Sequence, residues 1–128
     1  MASLNGGTIR QGDTIKLTHT LEDGAVPHFN SPGYITRFVV KSSITLPDED
    51  AEITKTDSDG ITVTGDLVAE TVLAPSDTAN LQIPGTSKKY FYELQIAKND
   101  GSEVYTREPL TGFASFTIEV DLIKASGG

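Results

Sequence analysis

A chain of 128 residues has the length of one domain, and about two thirds of its surface is expected to be buried on folding. Ten Lys and Arg against eighteen Asp and Glu give a formal charge of −8, which argues against a phosphate-gripping surface and disfavours nucleic acid and anionic membranes as partners. There is no cysteine, so neither a disulfide framework nor thiolate chemistry is available, and no apolar run approaches the length of a membrane span.

Residues 1–7 read as a flexible arm with two glycines and little to bury. The arm lacks a basic stretch and an apolar stretch, so no signal peptide is expected. A single domain is expected over 8–123. Its first clear strand holds Ile15, Leu17, His19 and Leu21 in alternation with Lys16, Thr18 and Thr20, the period of a strand with one dry face. Glu22-Asp23-Gly24 ends it as a turn, and residues 26–33 form a Pro- and Asn-marked loop. Tyr34–Ile44 is the next strand, with Tyr34, Phe38, Val40 and Ile44 on one face.

Pro47-Asp48-Glu49-Asp50 opens an acidic loop. A hairpin is expected between 51–56 and 60–64 around Asp57-Ser58-Asp59-Gly60, followed by a turn at 64–66 and a strand over 67–74. Pro75-Ser76-Asp77 starts one short helical turn near residues 76–81, capped by Ser76 or Asp77. The strongest alternation then runs through Tyr90, Tyr92, Leu94 and Ile96, against Phe91, Glu93, Gln95 and Ala97. Asn99-Asp100-Gly101 is a hairpin turn signal, residues 102–107 return from it, and Pro109–Gly112 interrupts. The closing strand holds Ala114, Phe116, Ile118 and Val120, and residues 124–128 read as a frayed tail. Short strands with Asp/Asn-Gly turns describe an all-β, antiparallel sandwich, with a small β-barrel as the runner-up.

Candidate sites are sparse. Asp57 and Asp59 resemble the start of a calcium loop, but the third oxygen ligand and the terminal Glu at the required spacing are absent, so a solvated hairpin turn is the preferred reading and no cofactor is expected. The two histidines lack a nucleophile elbow. His19, at an inward strand position, is expected to be a hydrogen-bonded core residue, and His28 an exposed loop residue. Phe29 either pins its loop to the core or faces a partner. Phe91 opposes the tyrosine face and marks an interface or a second layer. Phe29 and Phe91 are therefore the interface candidates, and no enzyme activity is expected.

The Gln11-Gly12-Asp13-Thr14 lead-in, the Ser76–Leu81 turn, Tyr90-Phe91-Tyr92-Glu93-Leu94-Gln95-Ile96, Asn99-Asp100-Gly101-Ser102 and Phe116–Asp121 together carry a resemblance. Over most of residues 8–123 the chain resembles small Ig-like β-sandwich domains of tailed-phage virion proteins, including the N-terminal domain of baseplate upper proteins. The resemblance implies an Ig-like sandwich in a non-enzymatic virion structural protein, a tail or baseplate component or a capsid accessory protein. Its partners would be other virion proteins, with a homo-oligomer as an option, and it would assemble in the host cytoplasm. The alternative is a carbohydrate- or host-surface-binding module on the same scaffold.

Overall fold

The computed structural model describes residues 6–79, 81–108 and 114–120, without the side chain of Asp48. In chain order the strands are β1 (Thr8–Arg10), β2 (Ile15–Thr20), β3 (Tyr34–Lys41), β4 (Ile53–Thr56), β5 (Ile61–Gly65), β6 (Val68–Leu73), β7 (Ser87–Lys98), β8 (Val104–Glu108) and β9 (Ala114–Glu119). A 3-10 turn covers Asp48–Asp50, and a single helical turn, α1, covers Pro75–Ala79.

Alternation along β7 buries Tyr90, Tyr92, Leu94 and Ile96 on one face. One edge of β7 pairs antiparallel with β3, setting Phe38 opposite Leu94. The other edge is shared: β9 pairs with Ser87–Tyr92, and β8 pairs with Leu94–Ala97. With β1 and β4 outside, the larger sheet runs β1-β9-β7-β3-β4, and the smaller runs β2-β6-β5. Lettered in immunoglobulin fashion, β2, β6 and β5 are B, E and D, β3, β7 and β9 are C, F and G, and β4 is an added C′. The two sheets meet in one core, in which the rings of Phe38 and Tyr92 lie 5.6 Å apart and those of Tyr92 and Phe116 5.9 Å apart. Ala69 and Leu73 of β6 join the same cluster from the other sheet. The architecture is therefore a sandwich, as expected, rather than the barrel.

Several local expectations are corrected. The hairpin between 51–56 and 60–64 does not form: β4 pairs with β3 and β5 with β6. Thr56 and Asp59 exchange backbone hydrogen bonds of 3.0 and 2.9 Å, and the chain crosses from one sheet to the other at Gly60, where φ is 98°. Alternation reveals which face is dry, and Ile53 and Ile61 are both buried, but it does not say which sheet a strand joins. The strand from Tyr34 stops at Lys41, and Ile44 beyond it is 56% exposed. One pair is parallel rather than antiparallel, β1 with β9. At the end of the expected arm, Gly6 N–H donates to Ser115 O at 2.7 Å and Gly7 O accepts from Thr117 N–H at 2.9 Å. The expected Pro109–Gly112 interruption and the 124–128 tail lie outside the described residues.

The helical turn also differs from its expected form. Pro75 takes the first helical position, where its missing N–H is no loss. The Asp77 carboxylate reaches back to accept the Ala74 N–H at 2.6 Å, while Asp77 N–H donates to Ala74 O at 2.9 Å. The side-chain bond is half of a capping box, made from the third helical position by Asp77, one of the two expected capping residues, while Ser76 makes no such bond and the N-cap position falls to Ala74. At the other end the buried Gln11 side chain donates to Thr78 O at 2.9 Å and Leu81 O at 3.0 Å, joining the Leu81 N–H, which also donates to Thr78 O at 3.1 Å.

Leu94 is 1% exposed at the centre of β7, so Leu94→Ala should destabilise the fold by about 2–5 kcal/mol. Ile44→Ala should stay within about 0.5 kcal/mol. Urea denaturation of both variants measures the contrast, and similar losses would misplace the core.

Candidate functional site

The polar array that most resembles catalytic geometry lies between the sheets. Inward alternation on β2 carries His19 into the core, where it is 4% exposed and stands 5.7 Å from the Phe38 ring. Its Nε2 is 2.7 Å from Thr71 Oγ1 on β6, and its Nδ1 is 3.2 Å from Glu108 Oε1 on β8. Tyr92 OH donates to the second Glu108 oxygen at 3.1 Å. A carboxylate only accepts, so Nδ1 carries a proton; Nε2 then accepts from Thr71 in the neutral ring and donates to it in the imidazolium. The hydrogen bond from His19 holds the Glu108 carboxyl below its ordinary range, against burial, which pushes it up; the His19 charge and the Tyr92 hydroxyl add to the lowering. The order hydroxyl, imidazole, carboxylate is that of a nucleophilic relay. Thr71, however, is fully buried, and its oxygen is closed to any substrate in this conformation. What the array does physically is bolt β2 and β6 to the end of β8 in the opposite sheet.

A second arrangement lies on the outer face of the larger sheet. Arg37 Nε and Nη2 both donate to Gln95 Oε1, at 2.9 and 2.7 Å. Gln95 Nε2 donates to Glu93 Oε1 at 2.9 Å, and the Lys41 ammonium, 3.9 Å from that same oxygen, also donates to Leu46 O at 3.0 Å. Val39 and Ala97 are buried on this face although they point away from the core, as expected where long charged side chains lay their stems over a sheet. Phe91 is half-buried beside this network, with the Lys89 ammonium 5.7 Å from its ring centre.

A third arrangement caps the β7–β8 hairpin. Tyr34 and Tyr105, their rings 6.4 Å apart, each donate a hydroxyl to Glu103 Oε1 at 3.0 Å. The Lys98 ammonium is 3.5 Å from the other Glu103 oxygen. The Tyr105 and Tyr34 hydrogen bonds hold the Glu103 carboxyl low, and the same bonds push both phenols up.

The residues singled out by sequence are distributed among these places. Phe29 is 3% exposed and belongs to the core, so it pins its loop and offers no contact surface within this chain. Phe91 does lie on the outer face. His28, expected to be exposed, is half-buried, its backbone N–H donating to Ser31 Oγ at 2.8 Å. The Asp57 carboxylate accepts the Thr36 N–H at 3.2 Å, and Asp59 serves its turn through its backbone. Among the described residues no group of three or more His, Cys, Asp or Glu is placed to hold a metal. Sequence reading placed His19 but missed Thr71 and Glu108, which are 52 and 89 residues away along the chain. It also missed the tyrosine pair, for which Glu103-Val104-Tyr105 was the one local clue. No protein-family model matches this chain, and no curated protein sequence matches it.

Because its carboxyl is held low, Glu108 contributes stability above the ordinary glutamate value of 4.5, and that contribution disappears as pH falls through the lowered value. Glu108→Gln should therefore cost about 1 kcal/mol at neutral pH, and the gap to the native chain should narrow in acid as the Glu108 carboxyl takes up its proton. Urea denaturation at neutral and acid pH checks this; a gap that persists in acid would contradict the ionised bridge.

Proposed function

We propose that this chain is a non-enzymatic structural domain of a bacteriophage virion, a tail or baseplate component or a capsid accessory protein, acting through contacts with other virion proteins. The observation that carries the reading is the outer face of the larger sheet. There the Arg37–Gln95–Glu93–Lys41 network fixes long side chains in a row that ends at Lys41, opposite the half-buried Phe91, and ordering before contact lowers the entropy lost on association. Arginine and aromatic residues are also the groups enriched at protein contact centres. The enclosure of Thr71 supports the non-enzymatic part, and the sequence resemblance supplies the phage context.

A second reading, a carbohydrate- or host-surface-binding module, draws on the Tyr34–Glu103–Tyr105 cluster, which combines ring faces with a hydrogen-bond acceptor. A glycan array separates the two, because a purely structural subunit shows no saturable binding. For the first reading the test is cryo-electron microscopy of the parent virion, where density for this sandwich is expected. Phe91→Ala should reduce incorporation into particles while the variant still melts cooperatively; a particle without density for the chain would overturn the proposal.

A further inference from the structure

The outer edges of the two sheets are not alike. Natural sheets blunt their edges with short strands, bulges or covering groups, since a long regular edge is a template for another strand. β1 has three residues and β4 four. β5 carries a register shift between Val63 and Gly65, and the pairing of β8 shifts at Leu94/Gln95. β2 differs: it carries the exposed Lys16 as its edge charge, but its six residues keep an unbroken register with β6. In the immunoglobulin layout this edge would be covered by the first strand. Here that strand, β1, pairs with β9 in the other sheet.

The direction of the exposed backbone groups follows from the ladder. Leu21 N–H donates to Leu67 O at 2.8 Å, in the same register as β2 and β6. In an antiparallel pair, hydrogen-bonded positions alternate with positions whose N–H and C=O point away. Odd positions of β2 therefore bond to β6, and the backbone groups of Lys16 and Thr18 point outward. Among the described residues, neither of these outward positions meets another strand. Between them sits Leu17, an inward side chain left half-buried at the margin of the core.

We infer that a second copy of this chain pairs with this edge, β2 against β2 and antiparallel, about a two-fold axis at Leu17. The register makes the edge self-complementary. Lys16 of one copy exchanges both backbone hydrogen bonds with Thr18 of the other, and Thr18 with Lys16. The two Leu17 side chains meet at the close, non-hydrogen-bonded position on the axis and cover each other's exposed part. The two Lys16 ammonium groups stand offset along the ladder rather than directly opposite, which avoids the like-charge pair that a shift to Lys16 would create. The two small sheets join into one continuous sheet, and the two-fold closes the assembly at two copies.

The contact does not depend on the proposed virion role. The full chain should sediment as a dimer that dissociates on dilution. Thr18→Pro removes an outward N–H without touching the β6 ladder, as proline is tolerated at such edge positions. It should sediment as a monomer while keeping the native circular dichroism and a cooperative melt. The chain has no cysteine, so Leu17→Cys gives a second readout: mild oxidation should yield a covalent dimer, with Thr62→Cys on the far strand remaining uncrosslinked. A native chain that stays monomeric at millimolar concentration, a dimer that survives Thr18→Pro, or assembly beyond two copies would each overturn the inference. A monomer found within a virion would overturn this contact alone, whereas a dimer absent from the particle would overturn only the virion role.

Discussion

The fold depends on one constraint: β7 is hydrogen-bonded along both edges, with β3 on one side and β9 followed by β8 on the other. A strand in that position cannot slip by one residue without turning Tyr90, Tyr92, Leu94 and Ile96 to solvent and Phe91, Glu93, Gln95 and Ala97 to the core. Its register therefore fixes which residues of three other strands face inward. It also fixes the outer face, because the residues proposed to meet partners are the other half of the same alternation.

Polar groups inside the sandwich are used to position elements that pairing alone would leave loose. β8 is only five residues long, and the His19–Glu108 contact ties its end to the opposite sheet. α1, at five residues, is too short to stand by itself; the Asp77 carboxylate holds its first turn, and Gln11 takes the carbonyls at its end. Asp77 is further held by the Lys55 ammonium at 3.0 Å, which joins α1 to β4. Among the described residues, these chemically suggestive side chains hold the scaffold, and the surfaces proposed for contact are the outer sheet face, the tyrosine pair and the edge of β2.

What the sequence disclosed follows from the range over which each signal acts. The alternation in β7 and the Asn99-Asp100-Gly101 turn are local, and both appear where expected: Gly101 has φ 78°, and Lys98 N–H donates to Glu103 O at 2.9 Å. Asp57–Gly60 was equally local, yet its hairpin reading failed, because a tight turn is compatible with two strands that diverge into different sheets. The parallel pairing of β1 with β9 joins the two ends of the domain, and no periodicity encodes it. The same holds for the sites. Phe91 was visible as the odd member of an aromatic run, whereas Thr71 and Glu108 are an ordinary strand threonine and glutamate until β2 brings His19 between them. Phe29 shows the limit of loop reasoning, since a phenylalanine among prolines and polar residues reads equally as an anchor and as a contact.

Native-state amide hydrogen exchange tests the central role of β7 most directly. The amides of Tyr92 and of Leu94 to Ile96, flanked by pairing on both edges, should exchange only through global unfolding, with an opening free energy equal to that from denaturant melts. The outward amides of Lys16 and Thr18 should exchange through much smaller openings in the monomer. If the β7 amides exchanged as readily as those at the sheet edges, the sandwich would not be organised around this strand.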